Sequence, residues 1–493
     1  MYEIIAKTAS QQPNVAAVVF EDTVTTYEAF IHTVDRLAAM LQMNHIKQGD
    51  IVGLIHSRTP IALAAMFAGV KVGAAYMPIE PGAPKARTVY MLDENHAAAI
   101  LTDLPEIMDQ YADYRIIDTS KQTMVQATEA FNEHIDYSDH TAYIIYTSGS
   151  TGKPKGVKIR QAGIVNLILH GTDVVGISPG RTMMCLSNLS FDMSVPETIL
   201  ALCKGLTVVL ANEKEQKNPV LIRRLFEKHG IDTVLIAPTR LQLLTMYHRN
   251  LSFMSHVKSF MFGAEKIPGY LLEMIKANCP DARIYNLYGP TEVTAFVTYS
   301  DITDKVLIDV GRPIENMEVY IMNEYLEPVR IGVKGEICVS GIALSPGYVN
   351  DLELTDKKFI FHENVKYGSL YRTGDYGRML DDGCIQYLGR LDNQVKFKGY
   401  RIELEEIEAV ALSYPGIMQV VADIREDAVG VEELFLFYSL TQPINEADLR
   451  NYLRQVLPDY MVPTVYERSE TLPTNQNGKI DRKQLKQGKE LLR

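Results

Sequence analysis

The sequence lacks any block of consecutive basic residues. Acidic residues outnumber basic ones by 61 to 49, and the formal net charge at pH 7 is −12. Proteins that bind nucleic acid rely on clustered positive charge that faces the phosphates. This charge balance therefore argues against a nucleic-acid partner.

The sequence also lacks an uninterrupted apolar run long enough to cross a bilayer. Its first residues, MYEIIAKTASQQPN, do not place an apolar region after a basic one, as a secretory signal would. The apolar stretch AAMFAGVKVGAAYM is short and contains Lys71. We therefore expect a soluble, cytoplasmic protein with no membrane partner.

Cysteine is scarce, and the spacing of the cysteines argues against both disulfide bonds and zinc sites. The five cysteines lie far apart and form no C-x-x-C pair: Cys185, Cys203, Cys279, Cys338 and Cys384. An odd number of widely spaced cysteines favours neither a disulfide framework nor a zinc cluster. We expect reduced thiols with mostly structural roles.

What the sequence does contain is an alternation of short β-rich runs and longer segments of helical period. The runs are DIVGLI, AAAILTD, LTVVLA, DTVLIA, SFMFGA and ARIYNLY. This alternation is typical of a mostly parallel sheet. The sequence therefore predicts an α/β fold whose large N-terminal domain has mostly parallel sheets flanked by helices.

Three of these runs end in turn-forming or polar residues. The endings are APT from Ala237, GAEK from Gly263 and GPTE from Gly289. Ligands of open parallel sheets bind at the carboxyl ends of the strands. We therefore expect the three ends to share one crevice.

The character of the sequence changes after about residue 390. NQVKFKGYRIELEEIEAVALSY and INEADLRNYLRQVLPDYMVP are charged and amphipathic. In the second segment Leu449, Leu453 and Val456 recur at helical spacing after Asn445, a suitable N-cap. The sequence thus predicts a large domain over residues 1–391 and a small, mobile α+β domain over residues 392–493.

The segment YTSGSTGKPKG, at residues 146–156, carries the strongest chemical signal. It fails the Walker A pattern, because Pro154 follows Gly152-Lys153 and Thr147 occupies the place of the first glycine. It also fails the nucleophile-elbow pattern at Ser148. Its glycines free backbone amides to surround an anion, and its hydroxyls add donors. It is either a phosphate cradle or an ordinary solvated loop.

Seven further stretches join this segment in a resemblance to the adenylate-forming superfamily. They are AGVKVGAAYMPIEP, LSFDMS, NLYGPTE, GEICVSG, YRTGD, GRLDNQVKFKGYRIELEEIE and NGKIDR. They follow the order of that superfamily and cover almost the whole chain. The sequence most resembles the amino-acid adenylation domains of nonribosomal peptide synthetases, because SFDMS and the GRLDNQ stretch are most typical of those domains.

The resemblance implies an ATP- and Mg²⁺-dependent site. The residues that it assigns to the nucleotide are Thr147, Ser148, Gly149, Ser150, Thr151, Gly152, Lys155, Ala264, Asn286, Tyr288, Gly289, Asp375, Tyr387 and Arg390. Tyr288 would stack on adenine, whereas Asp375 and Arg390 would contact the ribose. Taken singly, Tyr288 could be a core residue, and Asp375 and Arg390 could form a surface ion pair.

The catalytic residues implied by the resemblance are Thr291, near the α-phosphate, Glu292, which would hold Mg²⁺, and Lys479. Lys479 would reach the α-phosphate and the substrate carboxylate when the domains close. Asp392 would be the hinge of the small domain, and Gly399 would line the path of the incoming thiol. Otherwise Lys479 is an exposed turn lysine and Asp392 a boundary residue.

The resemblance aligns Asp192 with the carboxylate that grips the α-ammonium of amino-acid substrates; the alternative is a buried helix cap. The predicted side-chain pocket consists of Met193, Pro196, Leu235, Met261, Gly263, Leu287, Ala295 and Phe296. Because none of these residues is charged, we expect a neutral, apolar amino acid. Its identity and D or L configuration stay open.

The implied activity is adenylation of an amino acid followed by transfer to the phosphopantetheine thiol of a carrier protein or domain. Three other functions remain open: a D-alanine–carrier protein ligase, an acyl- or aryl-CoA synthetase, and a catalytically silent nucleotide-binding scaffold. Asp192 disfavours the second, and the joint presence of Lys479, Glu292 and Asp375 disfavours the third.

Overall fold

The computed structural model describes residues 1–124, 140–149, 152–392, 394–426, 432–473 and 482–487. In chain order its strands are β1 (Ala16–Phe20), β2 (Thr23–Thr26), β3 (Ile51–Leu54), β4 (Ala75–Pro78), β5 (Ala99–Thr102), β6 (Ile116–Asp118), β7 (Thr141–Thr147), β8 (Lys155–Arg160), β9 (Thr182–Cys185), β10 (Thr207–Leu210), β11 (Thr233–Ile236), β12 (Ser259–Phe262), β13 (Arg283–Tyr288), β14 (Thr298–Asp301), β15 (Arg312–Pro313), β16 (Met317–Met322), β17 (Gly335–Gly341), β18 (Phe359–Phe361), β19 (Ser369–Met379), β20 (Ile385–Arg390), β21 (Gln394–Phe397), β22 (Tyr400–Glu403), β23 (Ile417–Glu426), β24 (Glu432–Leu440) and β25 (Val465–Arg468).

The α-helices of the described ranges precede, separate and follow these strands along the chain. They are α1 (Tyr2–Gln11), α2 (Tyr27–Met43), α3 (Pro60–Lys71), α4 (Lys85–Glu94), α5 (Pro105–Gln110), α6 (Gln161–Asn166), α7 (Ala201–Cys203), α8 (Pro219–His229), α9 (Pro238–His248), α10 (Gly269–Asn278), α11 (Leu352–Lys358), α12 (Leu404–Leu412), α13 (Glu446–Val456) and α14 (Arg482–Gln487). A π-helical turn, Leu167–Gly171, follows α6 directly. A second one, Pro196–Leu200, leads directly into α7.

The contacts within the chain divide it into two compact units. The first unit consists of Met1–Pro81, Leu92–Tyr146 and Gly156–Leu391. The second consists of Gly82–Met91, Thr147–Lys155 and Asp392–Arg493. The segment Thr147–Lys155, here called the glycine loop, therefore belongs to the same unit as the C-terminal part of the chain.

The first unit contains a nine-stranded sheet of order β15-β14-β13-β12-β11-β9-β10-β1-β2. Its strands β11, β12 and β13 are adjacent and parallel. Their carboxyl ends, at Ala237, Gly263 and Gly289, therefore meet at one edge of the sheet, which confirms the expected neighbourhood. Alternation along the strands separates two cores, because Leu235 packs into one buried cluster and Val234 into the other.

Strands β3 to β8 form a second, six-stranded sheet of order β6-β5-β3-β4-β7-β8. The pairs β3–β4, β3–β5, β4–β7 and β5–β6 are all parallel. Their crossovers include α3, whose residues Ala62–Lys71 are buried, as expected where helices cover a parallel sheet. The glycine loop connects β7 to β8.

The first unit also contains a five-stranded antiparallel sheet of β16 to β20. Strands β19 and β20 pair so that Asp375 lies opposite Arg390. Directly opposed residues of antiparallel strands bring their side chains together. The two proposed ribose ligands are thus neighbours by strand register.

The second unit combines a hairpin of β21 and β22 with a three-stranded sheet of β23, β24 and β25. Helices α12 and α13 pack on a core that includes Leu449 and Leu453. The Asn445 side chain accepts a hydrogen bond from the backbone amide of Ala447 and so caps α13 as predicted. The α/β class of the large part and the α+β character of the small part are confirmed.

All five cysteines are free and buried, as expected. Burial raises the pKa of each thiol, to about 12 for Cys203 and to about 11 for Cys279. The pKa values of the other three thiols are also raised, mainly by burial. Across the described ranges, no helix has both the length and the apolar character needed to cross a membrane.

Candidate functional site

The first part of the candidate site is built around the Asp375 carboxylate. Its Oδ2 accepts a hydrogen bond of 2.6 Å from the Tyr288 hydroxyl, and its Oδ1 pairs with Nη1 of Arg390 at 2.6 Å. The Asp375 residue is only 3% exposed. The pair is therefore a buried one rather than the surface ion pair that sequence alone left open.

The turn that carries Asp375 is itself fixed by hydrogen bonds. Gly374 has a left-handed φ of 77°, which glycine adopts without strain. Its amide donates to the Glu336 carboxylate at 3.1 Å, and the same carboxylate binds Arg372 at 2.7 Å. The Thr373 hydroxyl accepts from the Asp375 amide at 3.0 Å. These contacts fix the position of the Asp375 backbone.

Aromatic and amide groups lie beside this carboxylate. The rings of Tyr288 and Tyr387 are 6.1 Å apart and tilted by 46°. Burial and then the charge of Asp375 raise the pKa of Tyr288 well above its usual value, so its hydroxyl remains a donor. Asn286 lies on β13, and its Nδ2 donates a 2.8 Å hydrogen bond to the carbonyl of Asp309, which fixes the orientation of its side chain.

A second group of residues surrounds the turn that follows β13. The Thr291 hydroxyl donates to Oδ2 of Asp192 at 2.5 Å. Asp192 is half-buried rather than fully buried, which leaves its carboxylate with more access to solvent than the sequence argument assumed. The adjacent Glu292 is fully buried, and its Oε1 accepts from the Tyr348 hydroxyl at 2.8 Å.

The GPTE turn has this shape because of close backbone packing. A Cβ atom on Gly289 would lie 2.6 Å from Cα of Phe296, so only glycine fits there. Thr294 and Ala295 both adopt left-handed φ values, of 65° and 64°. This is strained for a β-branched residue, and the 2.8 Å bond from the Thr294 hydroxyl to the carbonyl of Ala343 stabilises it.

Two of the predicted pocket residues, Leu235 and Met261, lie side by side on neighbouring strands. Leu235, Met261, Leu287 and Phe296 share one buried cluster, and the partly buried Met193 and Ala295 pack against it. Pro196 is buried in a π-helical turn, and Ala264, just after β12, has a φ of 68°. A Cβ atom on Gly263 would meet nothing closer than 3.9 Å. A methyl group at residue 263 would therefore make ordinary van der Waals contacts without a clash.

The second part of the candidate site is the glycine loop. A Cβ atom on Gly149 would lie 2.1 Å from the carbonyl oxygen of Lys153, and Gly152 has a φ of 81°. Both glycines are therefore needed for the tight curve. The buried hydroxyl of Thr147 has no hydrogen-bond partner among the residues that the structure describes. An unpartnered buried hydroxyl is costly unless a ligand completes it.

Other groups of the glycine loop already contact side chains of the second unit. The Gly149 amide donates to Oε2 of Glu406 at 2.9 Å, and Oε1 of Glu406 pairs with Nη1 of Arg87 at 2.6 Å. Nζ of Lys155 lies 3.5 Å from Oε1 of Glu403. Carboxylates therefore occupy donors to which sequence analysis assigned phosphates.

Three of the predicted site residues, Ser150, Thr151 and Lys479, lie outside the described residues, so their roles stay predictions. Oδ1 of Asp392 accepts from the Gln394 amide at 3.3 Å. Gly399, with a φ of 83°, forms the turn between β21 and β22. The hinge and thiol-path roles of these two residues also stay predictions.

Sequence reasoning missed the residues that support the site through long-range contacts. Glu336, Glu403 and Glu406 stand inside quoted motifs but received no role. Tyr348 and Arg87 carry no sequence signal, because each contacts its carboxylate across a long separation along the chain. A buried carboxylate in a motif requires a partner, and this requirement was the available clue.

The site residues fit the groups that the resemblance implies. Asp375 uses one bond on each oxygen, and a carboxylate has about four acceptor positions, so it can still accept ribose hydroxyls. Glu292 offers a hard oxygen ligand, and Mg²⁺ is commonly held by one or two carboxylates with phosphates. Within the described part of the chain, no group of three His, Cys, Asp or Glu side chains forms an all-protein metal cage.

Comparison with known families gives two matches along the chain. The profile of the AMP-binding enzymes matches residues 5–349. The profile of the AMP-binding enzyme C-terminal domain matches residues 406–479. The two matches follow each other in the order of the large and small parts.

Two similar curated proteins are named as synthases. The chain is 34% identical over 492 residues to tyrocidine synthase 3 of Brevibacillus parabrevis, a match that covers 99% of the chain but 8% of the synthase. It is 35% identical over 488 residues to bacitracin synthase 3 of Bacillus licheniformis, a match that covers 98% of the chain and 8% of that synthase. In both comparisons the chain spans less than a tenth of its relative.

Similar solved structures share the fold. A nonribosomal peptide synthetase (NRPS) protein containing adenylation and PCP domains, bound to a vinylsulfonamide inhibitor, superposes with a TM-score of 0.87 at 24% identity, covering 98% of this chain and 83% of that chain. A four-domain nonribosomal peptide synthetase bound to AMP and glycine has a TM-score of 0.73 at 29% identity, covering 98% of this chain and 36% of that chain.

Proposed function

The chain belongs to the AMP-binding enzyme family, and we propose that it activates a neutral, apolar amino acid for transfer to a carrier protein. The substrate carboxylate attacks the α-phosphorus of ATP, pyrophosphate leaves, and an aminoacyl-AMP forms. The phosphopantetheine thiol of the carrier then attacks the carbonyl carbon, so that a thioester forms and AMP leaves.

One observation carries this proposal: the hydrogen bond between Thr291 and Asp192. It joins the residue proposed for the α-phosphate to the residue proposed for the substrate ammonium. An amino acid held at Asp192 by its α-ammonium presents its carboxylate toward Thr291, because the two charged groups share one carbon. The pair therefore favours an α-amino acid over a fatty or aromatic acid.

The nucleotide is assigned by the chemistry of the donors. Asp375 accepts the ribose hydroxyls, Arg390 supplements it, and Tyr288 and Tyr387 contribute ring surfaces for adenine. The glycine loop supplies amides and hydroxyls for the triphosphate, and the unpartnered Thr147 hydroxyl supports that role. Most of the rate would come from positioning and charge neutralisation, as in other phosphoryl chemistry.

Glu292 is the proposed Mg²⁺ ligand. The ion, when bound, neutralises phosphate charge and prefers oxygen donors. Tyr348 orients the Glu292 carboxylate through its hydroxyl. Such supporting hydrogen bonds are as much part of a metal site as the ligand itself.

Replacing Tyr348 with Phe is expected to raise the Mg²⁺ concentration needed for half-maximal exchange of pyrophosphate into ATP by about tenfold, because Glu292 loses the group that orients it. The assay titrates Mg²⁺ at saturating ATP and amino acid. Tyr325→Phe removes the hydroxyl of an exposed tyrosine and serves as the control. An unchanged Mg²⁺ dependence in Tyr348→Phe would remove Glu292 from the metal site.

The amino-acid side chain would lie in the pocket of Leu235, Met261, Leu287 and Phe296. No member is charged, so a lysine, arginine, aspartate or glutamate side chain would find no counter-ion among them. Gly263 places no side chain between Leu287 and Met193, and methionine adapts readily to its surroundings.

Lys479 is proposed to neutralise the charge that develops as the substrate carboxylate meets the α-phosphate. Asp392 is the proposed hinge that brings Lys479 into place. Gly399 is proposed to line the path of the incoming thiol. These roles carry over from the resemblance. We further propose a cytoplasmic location and a carrier that is either a separate protein or part of a longer chain.

Pyrophosphate exchange tests the function directly. The purified protein is assayed with each of the twenty amino acids, with D-alanine, and with fatty and aromatic acids. We expect the strongest exchange with a neutral apolar amino acid, and a loss of about 100-fold or more in Lys479→Ala. Strongest exchange with a charged amino acid would contradict the pocket assignment, and exchange with fatty or aromatic acids alone would favour a CoA synthetase. Absence of exchange with every acid would overturn the function.

A further inference from the structure

Glu406 occupies the glycine loop as an anion would. One oxygen of its carboxylate accepts from the Gly149 amide at 2.9 Å, and the other pairs with Arg87 at 2.6 Å. The Glu406 side chain is 1% exposed and the Arg87 side chain 9% exposed. A loop amide and a guanidinium are the same kinds of donor that bind a phosphate group.

Two residues close to Glu406 in the chain, Arg401 and Glu403, contact other residues of the glycine loop. The Ser148 hydroxyl donates to the carbonyl of Arg401 at 2.9 Å and accepts from the amide of Glu403 at 2.9 Å. The Glu403 carboxylate accepts from Nε2 of Gln394 at 2.5 Å and lies near Lys155. The Gly149 amide, the Ser148 hydroxyl and the Lys155 ammonium thus all contact groups of the second unit.

This arrangement and a bound phosphate exclude each other. A backbone amide points at one acceptor, so Gly149 cannot bond Glu406 and a phosphate oxygen with good geometry at the same time. A phosphate at the loop would also face two carboxylates of like charge in a buried place, which is costly.

We propose that Glu406 is a built-in competitor for the phosphate site, which holds the glycine loop closed to pyrophosphate and ATP until its carboxylate leaves Gly149. This inference rests on the proposed function, because that function gives the loop its phosphate. It goes beyond that function by assigning Glu406 and Arg87 to an autoinhibitory contact. The contact also blocks pyrophosphate from rebinding after it has left.

A structural role alone makes a different prediction. Acidic residues are common in the first turn of a helix, and Glu406 lies in the first turn of α12. If Glu406 served only to stabilise α12, removing its charge would leave pyrophosphate binding unchanged. If it competes, removing its charge would strengthen that binding.

The experiment is a calorimetric titration of the full chain with sodium pyrophosphate, with no nucleotide or amino acid present. Glu406→Gln is expected to bind pyrophosphate about tenfold more tightly than the wild type, because a neutral acceptor holds the loop amide and Arg87 more weakly than a carboxylate does. Glu470→Gln, at an exposed position of the same unit, makes the same change in net charge and is expected to match the wild type. Equal or weaker binding by Glu406→Gln would overturn the inference.

A second measurement needs no variant. Pyrophosphate added to the wild-type chain should increase amide hydrogen exchange across residues 403–412, because the contacts of Glu403 and Glu406 with the loop are given up. Unchanged exchange at saturating pyrophosphate would contradict the competitor role. ATP–pyrophosphate exchange by the wild type is measured separately, and a lack of this activity would contradict the proposed function. Calorimetry and hydrogen exchange test only the role of Glu406 as a competitor.

Discussion

Asp192→Asn is expected to lower amino-acid-dependent pyrophosphate exchange by about 100-fold, mainly through a higher KM for the amino acid. The substrate ammonium loses its charged partner, and removing one member of such a hydrogen-bonded charge pair costs about 2–5 kcal/mol. Asparagine still offers an oxygen to the Thr291 hydroxyl, so the local structure is retained. Steady-state exchange kinetics with varied amino acid and saturating ATP measure the effect.

A charge-matched control accompanies this variant. Asp281→Asn neutralises an exposed carboxylate of the first unit and is expected to leave both KM values unchanged. The KM for ATP should also stay unchanged in Asp192→Asn. Equal KM values for the amino acid in Asp192→Asn and wild type would show that Asp192 does not hold the ammonium.

Asp375→Asn is expected to abolish the stabilisation of the protein by ATP. Wild-type protein should show a higher Tm with ATP, because a ligand that binds only the folded state stabilises it by an amount that grows with the logarithm of its concentration above Kd. Asparagine loses the charge that pairs with Arg390, whose side chain is 10% exposed, so the folded protein itself should lose about 3 kcal/mol. Thermal unfolding with and without ATP separates the two effects.

The comparison for Asp375 is Asp381→Asn. Asp381 is exposed, and its replacement should preserve both the Tm without ligand and the increase with ATP. A lower Tm without ligand in Asp375→Asn would be consistent with a structural ion pair alone. A full ATP-induced increase in that variant would therefore contradict the assignment of Asp375 to the ribose.

The elements that position the site were predictable because their signals are local. The runs DTVLIA, SFMFGA and ARIYNLY became β11, β12 and β13, and Asn445 caps α13 as its position indicated. The resemblance to adenylate-forming enzymes is confirmed by the family match. Periodicity, capping and motif order depend on residues close together in the chain, so the sequence is sufficient for them.

The contacts that support the site depend on packing between distant segments. Tyr348 meets Glu292, and Arg87 meets Glu406, only after the fold has formed. No spacing rule connects such residues. Sequence reasoning therefore named the groups proposed to contact substrates but not the groups that hydrogen-bond to them.

The division of the chain into units shows a related limit. A boundary drawn along the sequence assigns residues 82–91 and 147–155 to the large domain, whereas their contacts group them with the C-terminal part. The glycine loop and Glu406 both belong to the second unit. A linear boundary could not have suggested a contact between them.

The burial of all five cysteines has a consequence for the aminoacyl-AMP that the proposed function would form. An aminoacyl-AMP acylates any accessible thiolate, but thiols with raised pKa values are scarcely ionised at neutral pH. Packing also keeps their sulfur atoms away from a small electrophile in solution. Under the proposed function, these five cysteines would therefore be poor acceptors of the activated acyl group, and the thiol of the proposed carrier would be the better one.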